Sequence, residues 1–219
     1  MTRLLLMNTA GAESTIALAE DSRVVAAAIL PGRTASERLV PEIRRLLDQP
    51  GWRLDELSAI VVVHGPGSFT GVRVGLSAAK GLSEAGRVPL IAVSRLELLA
   101  AAGGRGRVHA VLDAGRGEFY YGLYDGGVRL RETLLSAAEV ASEAGSDGAI
   151  ACEHKVPGGL NGLELTIVAE PHAAAAVEIA LDRLARGAVD DAAVLDANYL
   201  RRTDFEIQQR LQSRAAGAA

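Results

Sequence analysis

A glycine-rich loop is the stretch of this sequence with the most evident capacity for chemistry. It reads HGPGSFTGVRVG over residues 64–75, and it lies between an apolar run and a segment with the pattern of a helix. A strand, a glycine-rich turn and a helix start in this order are typical of phosphate binding, because backbone N–H groups at a helix N-terminus attract anions. The first question is therefore whether this loop holds a phosphate group.

The spacing of the glycines argues against the known phosphate loops. The dinucleotide pattern G-x-G-x-x-G, started at Gly65, requires glycine where Thr70 stands, and the next glycine comes one residue later at Gly71. The nucleotide P-loop requires lysine and a hydroxyl residue after its last glycine, but Val72 and Arg73 follow here. The loop still imposes a restricted backbone path. Its motif residues are Gly65, Pro66, Gly67, Ser68, Thr70 and Gly71.

Two side chains at the end of the loop have roles to be decided. Thr70 is a suitable N-cap for the following helix, because its hydroxyl can accept a backbone hydrogen bond. Phe69 is either a core anchor or an exposed contact for another protein. The usual burial of phenylalanine favours the core.

The 219-residue chain has an ordinary globular composition without a strong charge. Hydrophobic residues make up 49% of it, and 23 basic residues face 27 acidic ones, for a net charge of -4. Such a chain has no long-range field to attract a polyanion, so we expect any contact with nucleic acid to come through a partner. The apolar runs are too short for a signal peptide or a membrane span. Together with a single cysteine, Cys152, expected to be a buried apolar residue, this favours a cytoplasmic protein.

Hydrophobic periodicity predicts alternating strands and helices in the first half of the chain. A capping box at Thr34 and Glu37 predicts the start of a helix that ends near Asp48. A further strand precedes the glycine-rich loop and its helix. The predicted strands are 3–8, 14–19, 23–30, 59–63 and 90–93, and the last helix of this half is 94–102.

The same pattern restarts after a glycine-rich joint at residues 103–106. The sequence Asp125-Gly126-Gly127 predicts a hairpin turn between the second and third strands of this half. Three antiparallel strands at the start of each half favour an internal duplication of a mixed sheet flanked by helices; chance similarity of two α/β halves is the alternative. The predicted strands are 108–112, 118–124, 128–133, 148–152 and 163–169, and the predicted helices are 136–143 and 173–185.

Several segments together resemble one protein family. The loop and its helix, GPGSFTGVRVGLSAAKGL, are similar to the signature of the TsaB family, also called YeaZ, bacterial proteins required to make threonylcarbamoyladenosine in tRNA. The other matching segments are LLLMNTA, SERLVPEI, LDAGRGEFYYGLY and NYLRR, and they extend over most of the chain. The resemblance implies the α/β actin-like ATPase (ASKHA) fold, with two ribonuclease-H-like lobes that each hold a mixed sheet flanked by helices. The lobes are expected at 1–103 and 104–219, with the chain end from about 198 packed back on the first lobe.

This sequence lacks the metal-binding histidines of TsaD, the catalytic relative of the TsaB family. TsaD, the paralogous transferase, holds its metal through a histidine pair at H-x-x-x-H spacing, which places both imidazoles on one helix face. The four histidines here are His64, His109, His154 and His172, and no two are four residues apart. We therefore expect no metal site and no catalytic residues.

Polar residues at the strand ends are weaker site candidates. Asn8 ends the first strand where the family commonly carries aspartate, and an amide binds magnesium far less well than a carboxylate. Asp113 ends the equivalent strand of the second half, although a turn-forming role before Gly115 explains it equally well. Arg116 and Glu118 could pair across the hairpin start, for about 0.5 kcal/mol if exposed.

The resemblance implies a non-catalytic subunit that binds TsaD through helices of the first lobe, or a second copy of itself through the same surface. It also implies TsaE as a partner, tRNA contact only through the complex, and no cofactor bound by this chain alone, with ATP or ADP at an interface of the complex. Core packing is the alternative role for each candidate contact. The candidate contacts are Ser36, Arg38, Leu39, Ile43, Phe69, Arg73, Leu76, Ala79 and Lys80.

Two other classes of function are compatible with the fold. One is a stand-alone phosphotransferase, which requires a pair of magnesium-binding carboxylates. The other is a metallopeptidase, which requires metal ligands. A purely structural homodimer differs from the leading interpretation only in its partner. Fold alone excludes none of them.

Overall fold

Two five-stranded mixed sheets form the framework of the molecule. The structure is a computed structural model that describes residues 1–31, 35–104, 106–152, 159–160 and 162–200. Thr34, the predicted capping residue, lies outside this part of the chain. None of the helices in the described ranges combines the length and the apolar character that crossing a bilayer requires.

The first sheet contains β1 (Arg3–Asn8), β2 (Ser14–Glu20), β3 (Arg23–Leu30), β4 (Ala59–Val63) and β5 (Leu90–Val93). Its strand order is β3-β2-β1-β4-β5. β1 pairs antiparallel with β2 and parallel with β4. Every residue of β4 and β5 is buried, as expected for apolar strands covered on both faces.

The second sheet contains β6 (Arg107–Gly115), β7 (Glu118–Asp125), β8 (Val128–Ser136), β9 (Ala149–Cys152) and β10 (Leu165–Val168). Its order, β8-β7-β6-β9-β10, repeats that of the first sheet, and so does its pattern of parallel and antiparallel pairs. The predicted duplication and fold class are therefore confirmed. β8 is three residues longer than predicted, because it pairs with β7 as far as Glu118 and Ser136.

A polar turn recurs at equivalent positions of the two halves. Asn8 ends β1, and its Oδ1 accepts a hydrogen bond from the Ala10 N–H at 3.0 Å. Asp113 lies near the end of β6, and its Oδ1 accepts from the Gly115 N–H at 2.7 Å. This side-chain-to-backbone turn leads each first strand into the second. The duplication thus extends to a hydrogen bond as well as to the strand order.

Within the described ranges, five α-helices cover the sheets, and they lie close to their predicted positions. The predicted N-cap at Thr70 is wrong: the helix begins one residue before it, so the Ser68 hydroxyl takes that role and accepts from the Gly71 N–H at 3.2 Å. The predicted helix at 173–185 begins as a 3-10 turn, Ala173–Ala176. The helices are α1 (Ala35–Asp48), α2 (Phe69–Gly86), α3 (Arg95–Ala102), α4 (Ala137–Ala144) and α5 (Val177–Ala185).

The helices and sheets form successive layers. α1 and α2 cover the face of the first sheet that carries Leu5 and Met7, and α5 covers the opposite face with Leu4 and Leu6. α3 lies between the sheets: Leu98 packs towards the first, while its neighbours on the other side of the helix pack against the second. α4 covers the outer face of the second sheet. α5, although late in the sequence, therefore belongs to the core around the first sheet.

Residues 190–200, the last segment of the chain that the structure describes and called the chain end below, lie against the first lobe. The Asp190 carboxylate accepts from the Ala92 N–H at 2.8 Å, and Leu195 packs against the core cluster that α1 and α2 form with the first sheet. The Asn198 N–H donates to the His64 carbonyl at 2.8 Å. The prediction for residues 201–219 lies outside the described residues, and the division at 103/104 stays a prediction.

The glycines of the loop allow α2 to approach β1 closely. A Cβ at Gly67 would lie 2.2 Å from the Ala10 carbonyl oxygen, and one at Gly71 would lie 2.0 Å from that of Thr9. The Thr9 hydroxyl donates to the Gly71 carbonyl at 2.6 Å, and a Cβ at Gly75 would lie 2.2 Å from the same hydroxyl. The glycine spacing therefore serves the packing of a helix on a strand end.

We predict that Gly71→Ala destabilises the protein by about 1–3 kcal/mol, because the added methyl group overlaps the Thr9 carbonyl, which directly follows β1. The matched control is Gly81→Ala in the same helix, where a Cβ meets nothing within 4 Å and where alanine should stabilise by about 0.5–1 kcal/mol. Urea unfolding of both variants checks this. Equal effects at the two positions would contradict the close approach.

Candidate functional site: an interlobe cleft and a two-helix groove

A cleft of about 370 Å³ lies where the turns of the two lobes face each other. The first lobe contributes the turn after β1, residues 10–12, and the loop residues Gly67 and Ser68. The second lobe contributes Asp113 and its turn, together with Cys152 from the end of β9. Open α/β sheets commonly bind ligands in a crevice at the carboxyl ends of their strands, so the cleft is the first candidate site.

An ion pair of the protein itself lies in this cleft. Arg95, at the start of α3, is 2.5 Å from the Glu170 carboxylate, and the two side chains are only 13% and 15% exposed. Glu170 also accepts from the Ala12 N–H at 3.3 Å. A Cβ at Gly11 would lie 1.9 Å from the same carboxylate oxygen. The turn after β1 thus presents its N–H to a carboxylate of the protein.

Asn8 is buried beside the cleft and does not line it. Its amide donates to the Pro171 carbonyl at 2.9 Å, while its Oδ1 caps the turn after β1. Both halves of the amide are therefore used, and only 2% of the residue is exposed. A carboxylate could accept from the turn but could not donate to Pro171. The sequence departure at this position thus has a structural reason.

The second-lobe candidates lie at the cleft or at its rim. Asp113 is exposed and lines the cleft, where its carboxylate forms the turn to Gly115. Arg116 occupies the left-handed region with φ 60° in the turn that follows. Its pairing with Glu118 stays a prediction. The Cys152 thiol lines the same cleft, and burial raises its pKa, which opposes a role as a thiolate nucleophile.

The histidines have separate positions in the described chain. The His64 ring contacts the Asp196 carbonyl at 3.1 Å, and the buried His109 ring contacts the Tyr121 hydroxyl at 2.7 Å. His172 precedes the 3-10 turn before α5, and His154 lies outside the described residues. No group of three or more potential metal ligands occurs within the part of the chain that the structure describes.

A groove between α1 and α2 lies on the outside of the first lobe. It encloses about 460 Å³, and its lining includes Ser36, Val40, Arg73 and Ser77. A second depression of about 570 Å³ continues along the same two helices past Val40 to Trp52. Val40 is 51% exposed at the junction. The outer face of this helix pair is therefore an extended, partly apolar surface.

The candidate contacts fall into two groups. Ser36, Arg38 and Arg73 are exposed, Lys80 is half-buried, and these four remain on the outer face of the helix pair. The other aliphatic candidates belong mainly to the core beneath the helices, although Leu39 lines the groove and Ile43 lines the second depression, and their role as contacts stays a prediction. They are Leu39, Ile43, Leu76 and Ala79, each at most 7% exposed.

Phe69 corrects the expectation that it lies in the core, since it is 51% exposed. Its ring lies 3.7 Å from the Arg73 guanidinium carbon and 5.5 Å from the ring of Tyr199. The first residue of a helix that follows a loop can point away from the sheet, which is the case here. Phe69 therefore remains a candidate for contact with another protein.

Sequence reasoning missed four residues of these sites. Arg95 and Glu170 are 75 positions apart, and Tyr199 lies 126 positions from Arg73, its hydrogen-bond partner. Asn198 and Tyr199 are in the segment NYLRR, which was a signal of family resemblance but not of contact. Long-range polar pairs have no periodic pattern that a single sequence would reveal.

The duplicated sheets and their facing turns define the class: this is a two-lobed protein of the actin-like ATPase (ASKHA) fold. The family model for TsaD, tRNA N6-adenosine threonylcarbamoyltransferase, matches residues 29–181. A crystal structure of a Pseudomonas aeruginosa protein with similarity to peptidase YEAZ is 30% identical, covers 92% of this chain and all of its own, and superposes with a TM-score of 0.75. The chain therefore belongs to the family that the TsaD model describes, and its relatives identify it as a member of the TsaB (YeaZ) family.

Curated relatives agree with this assignment over part of their length. The tRNA threonylcarbamoyladenosine biosynthesis protein TsaB of Escherichia coli is 36% identical over 126 residues, which are 56% of this chain and 54% of that protein. The protein of the same name from Bacillus subtilis is 40% identical over 124 residues, or 55% and 54% of the two chains. The matched part of the chain thus spans about half the length of these relatives.

We predict that Asn8→Asp destabilises the protein by about 2–3 kcal/mol at neutral pH, because it places a carboxylate against the Pro171 carbonyl in a buried site. The loss should become smaller in acid, since a protonated carboxyl can again donate a hydrogen bond. Chemical unfolding at several pH values checks both statements. A matched control is Asp113→Asn at the exposed equivalent position, which we expect to change stability by less than about 0.5 kcal/mol.

Proposed function

We propose that this protein is a non-catalytic subunit of the machinery that forms threonylcarbamoyladenosine in tRNA, and that it binds the TsaD transferase. The observation that carries the proposal is the groove between α1 and α2, an exposed apolar surface on the first lobe of a TsaB-family chain. The names of the curated relatives place them in threonylcarbamoyladenosine biosynthesis. The match to the TsaD model supports a partner with a related fold.

The chemistry of the groove supports a protein partner. Val40, Val74 and Ala78 give it an apolar lining, and Arg73 and Ser36 supply polar groups at its edge. An apolar centre with a polar rim is the usual anatomy of a specific interface. The helices of a second α/β lobe, from TsaD or from another copy of this chain, match an elongated groove of this kind.

The cleft supports a subunit without its own reaction. A phosphotransferase of this fold would hold magnesium with carboxylates, but the first lobe has the engaged amide of Asn8. The Arg95–Glu170 pair lies next to it. We therefore propose that any ATP or ADP binds at an interface of the assembled complex, with TsaE as a further partner, and that tRNA is contacted through the complex.

The proposal is tested by mixing the purified chain with the TsaD homologue of the same organism. Light scattering should show a heterodimer, and removal of the gene should abolish threonylcarbamoyladenosine in tRNA. Absence of the heterodimer together with unchanged modification would contradict the proposal. Turnover of ATP or a peptide by the isolated chain would instead favour an independent enzyme.

We predict that Val40→Asp weakens binding of TsaD at least about tenfold, because an unpaired carboxylate would be buried in the groove. The control is Val128→Asp, at a valine that is 63% exposed on the second sheet, and it should leave affinity unchanged. Titration calorimetry of both variants checks the difference. If the two variants bind equally well, the groove is not the docking surface.

A further inference from the structure

An aromatic and arginine cluster lies on the surface beside the groove. Phe69 and Tyr199 are 51% and 43% exposed, and their ring centroids are 5.5 Å apart. Arg73 lies over the Phe69 ring, and its Nε donates to the Tyr199 hydroxyl at 2.8 Å. Single exposed aromatic side chains are common, but two adjacent ones form a contiguous apolar patch of the kind that marks an interaction site. Because Arg73 also lines the groove, the cluster is continuous with it.

Tyr199 belongs to the chain end, which a buried carboxylate of the second lobe holds in place. The Glu132 side chain, on β8, is only 4% exposed. It accepts from the Asn198 amide at 2.6 Å and from the Tyr124 hydroxyl. The Asn198 backbone N–H donates to the His64 carbonyl of the first lobe. Asn198 is therefore fixed by both lobes, directly before Tyr199.

We propose that Glu132 and Asn198 are positioning residues that hold Tyr199 against Arg73, and that the Phe69–Arg73–Tyr199 cluster is part of the surface that receives the TsaD partner. This inference rests on the proposed function. It adds a second-lobe residue and the chain end to a docking surface that otherwise consists of α1 and α2.

The composition of the cluster indicates the chemistry of the partner surface. Tyrosine and arginine are the residues that most often carry binding energy at interfaces, especially where a rigid side chain is already oriented. Arg73 and Arg38 are both exposed on the helix pair. A guanidinium held by an aromatic ring and a hydroxyl is preorganised for a carboxylate. We therefore infer that the partner presents an acidic side chain among apolar ones at this position.

The test uses two substitutions, each of which breaks a different contact in the link that runs from Glu132 through Asn198 and Tyr199 to Arg73. Tyr199→Phe removes only the hydroxyl that accepts from Arg73. Asn198→Asp keeps the shape of the side chain but places a carboxylate 2.6 Å from that of Glu132. We expect each to raise the Kd for the TsaD homologue about three- to tenfold, as for loss of one charge-assisted hydrogen bond. The double variant should bind TsaD no more weakly than the single variant with the larger loss of affinity, because both substitutions break the same link.

A second readout is made on the chain without its partner. The Arg73 Nε–H signal in nitrogen-15 NMR should shift in both variants, since each removes the hydroxyl from the guanidinium. The control is Asp196→Asn, also in the chain end, whose carboxylate contacts only the adjacent Ala197 N–H among the hydrogen bonds of the described residues. It should alter neither the NMR signal nor the affinity.

The outcomes separate this inference from the proposed function. An unshifted Arg73 signal in Asn198→Asp would overturn the positioning role, whatever the affinity. A shifted signal with unchanged affinity would remove the cluster from the docking surface. Additive losses in the double variant would contradict a single link. If the unaltered chain binds no TsaD, the proposed function and the docking role fail together, while the NMR result still decides the link between Glu132 and Arg73.

Discussion

The close approach of α2 to the end of β1 is the contact on which the rest of the first lobe depends. Glycines at 67 and 71 let the helix start lie directly on the carbonyls of Ala10 and Thr9, and the Thr9 hydroxyl fixes the distance. The start of α2 is thereby positioned against backbone atoms that directly follow the central strand, β1. α1 packs beside it on the same face of the sheet, so the groove between the two helices inherits its position from this contact.

The segments that make this contact also line the cleft. The Ser68 N–H donates a hydrogen bond to the Ala10 carbonyl at 2.9 Å, so it is not available to a phosphate group. The turn after β1 directs the Ala12 N–H to Glu170, which Arg95 neutralises. An ion pair of this kind, removed from water, is stable only when both partners are present. The Ala12 N–H and the Arg95 guanidinium thus share the Glu170 carboxylate at this edge of the cleft.

Much of the fold could be predicted from the sequence because it depends on local patterns. Runs such as AIVVV predict buried strands, and the recurrence of three strands in each half predicts the duplicated sheet. Burial of individual helix residues was harder to predict. Leu39 and Ile43 lie on an apolar stripe that faces the sheet, whereas Val40 between them is exposed. Phe69 was assigned to the core from the average behaviour of phenylalanine, but its position at the helix start and the stacked Arg73 keep it at the surface. The contacts of Glu170 and Tyr199 join distant segments, and only the assembled fold brings them together.

The two halves of the duplication carry different polar residues at the equivalent ends of their first strands, and this difference bears on the proposed function. Asp113 retains a carboxylate that is exposed to the cleft, while Asn8 has an amide that is buried and bonded to Pro171. A reaction between two lobes of this fold needs polar groups from both sides to converge on one ligand. In this protein the Asn8 amide of the first lobe binds Pro171, in the segment that leads into α5. α5 in turn covers the face of the first sheet that carries Leu4 and Leu6. Since that face is occupied by intramolecular packing, the outer helix pair is the part of the first lobe that the proposed function assigns to the partner.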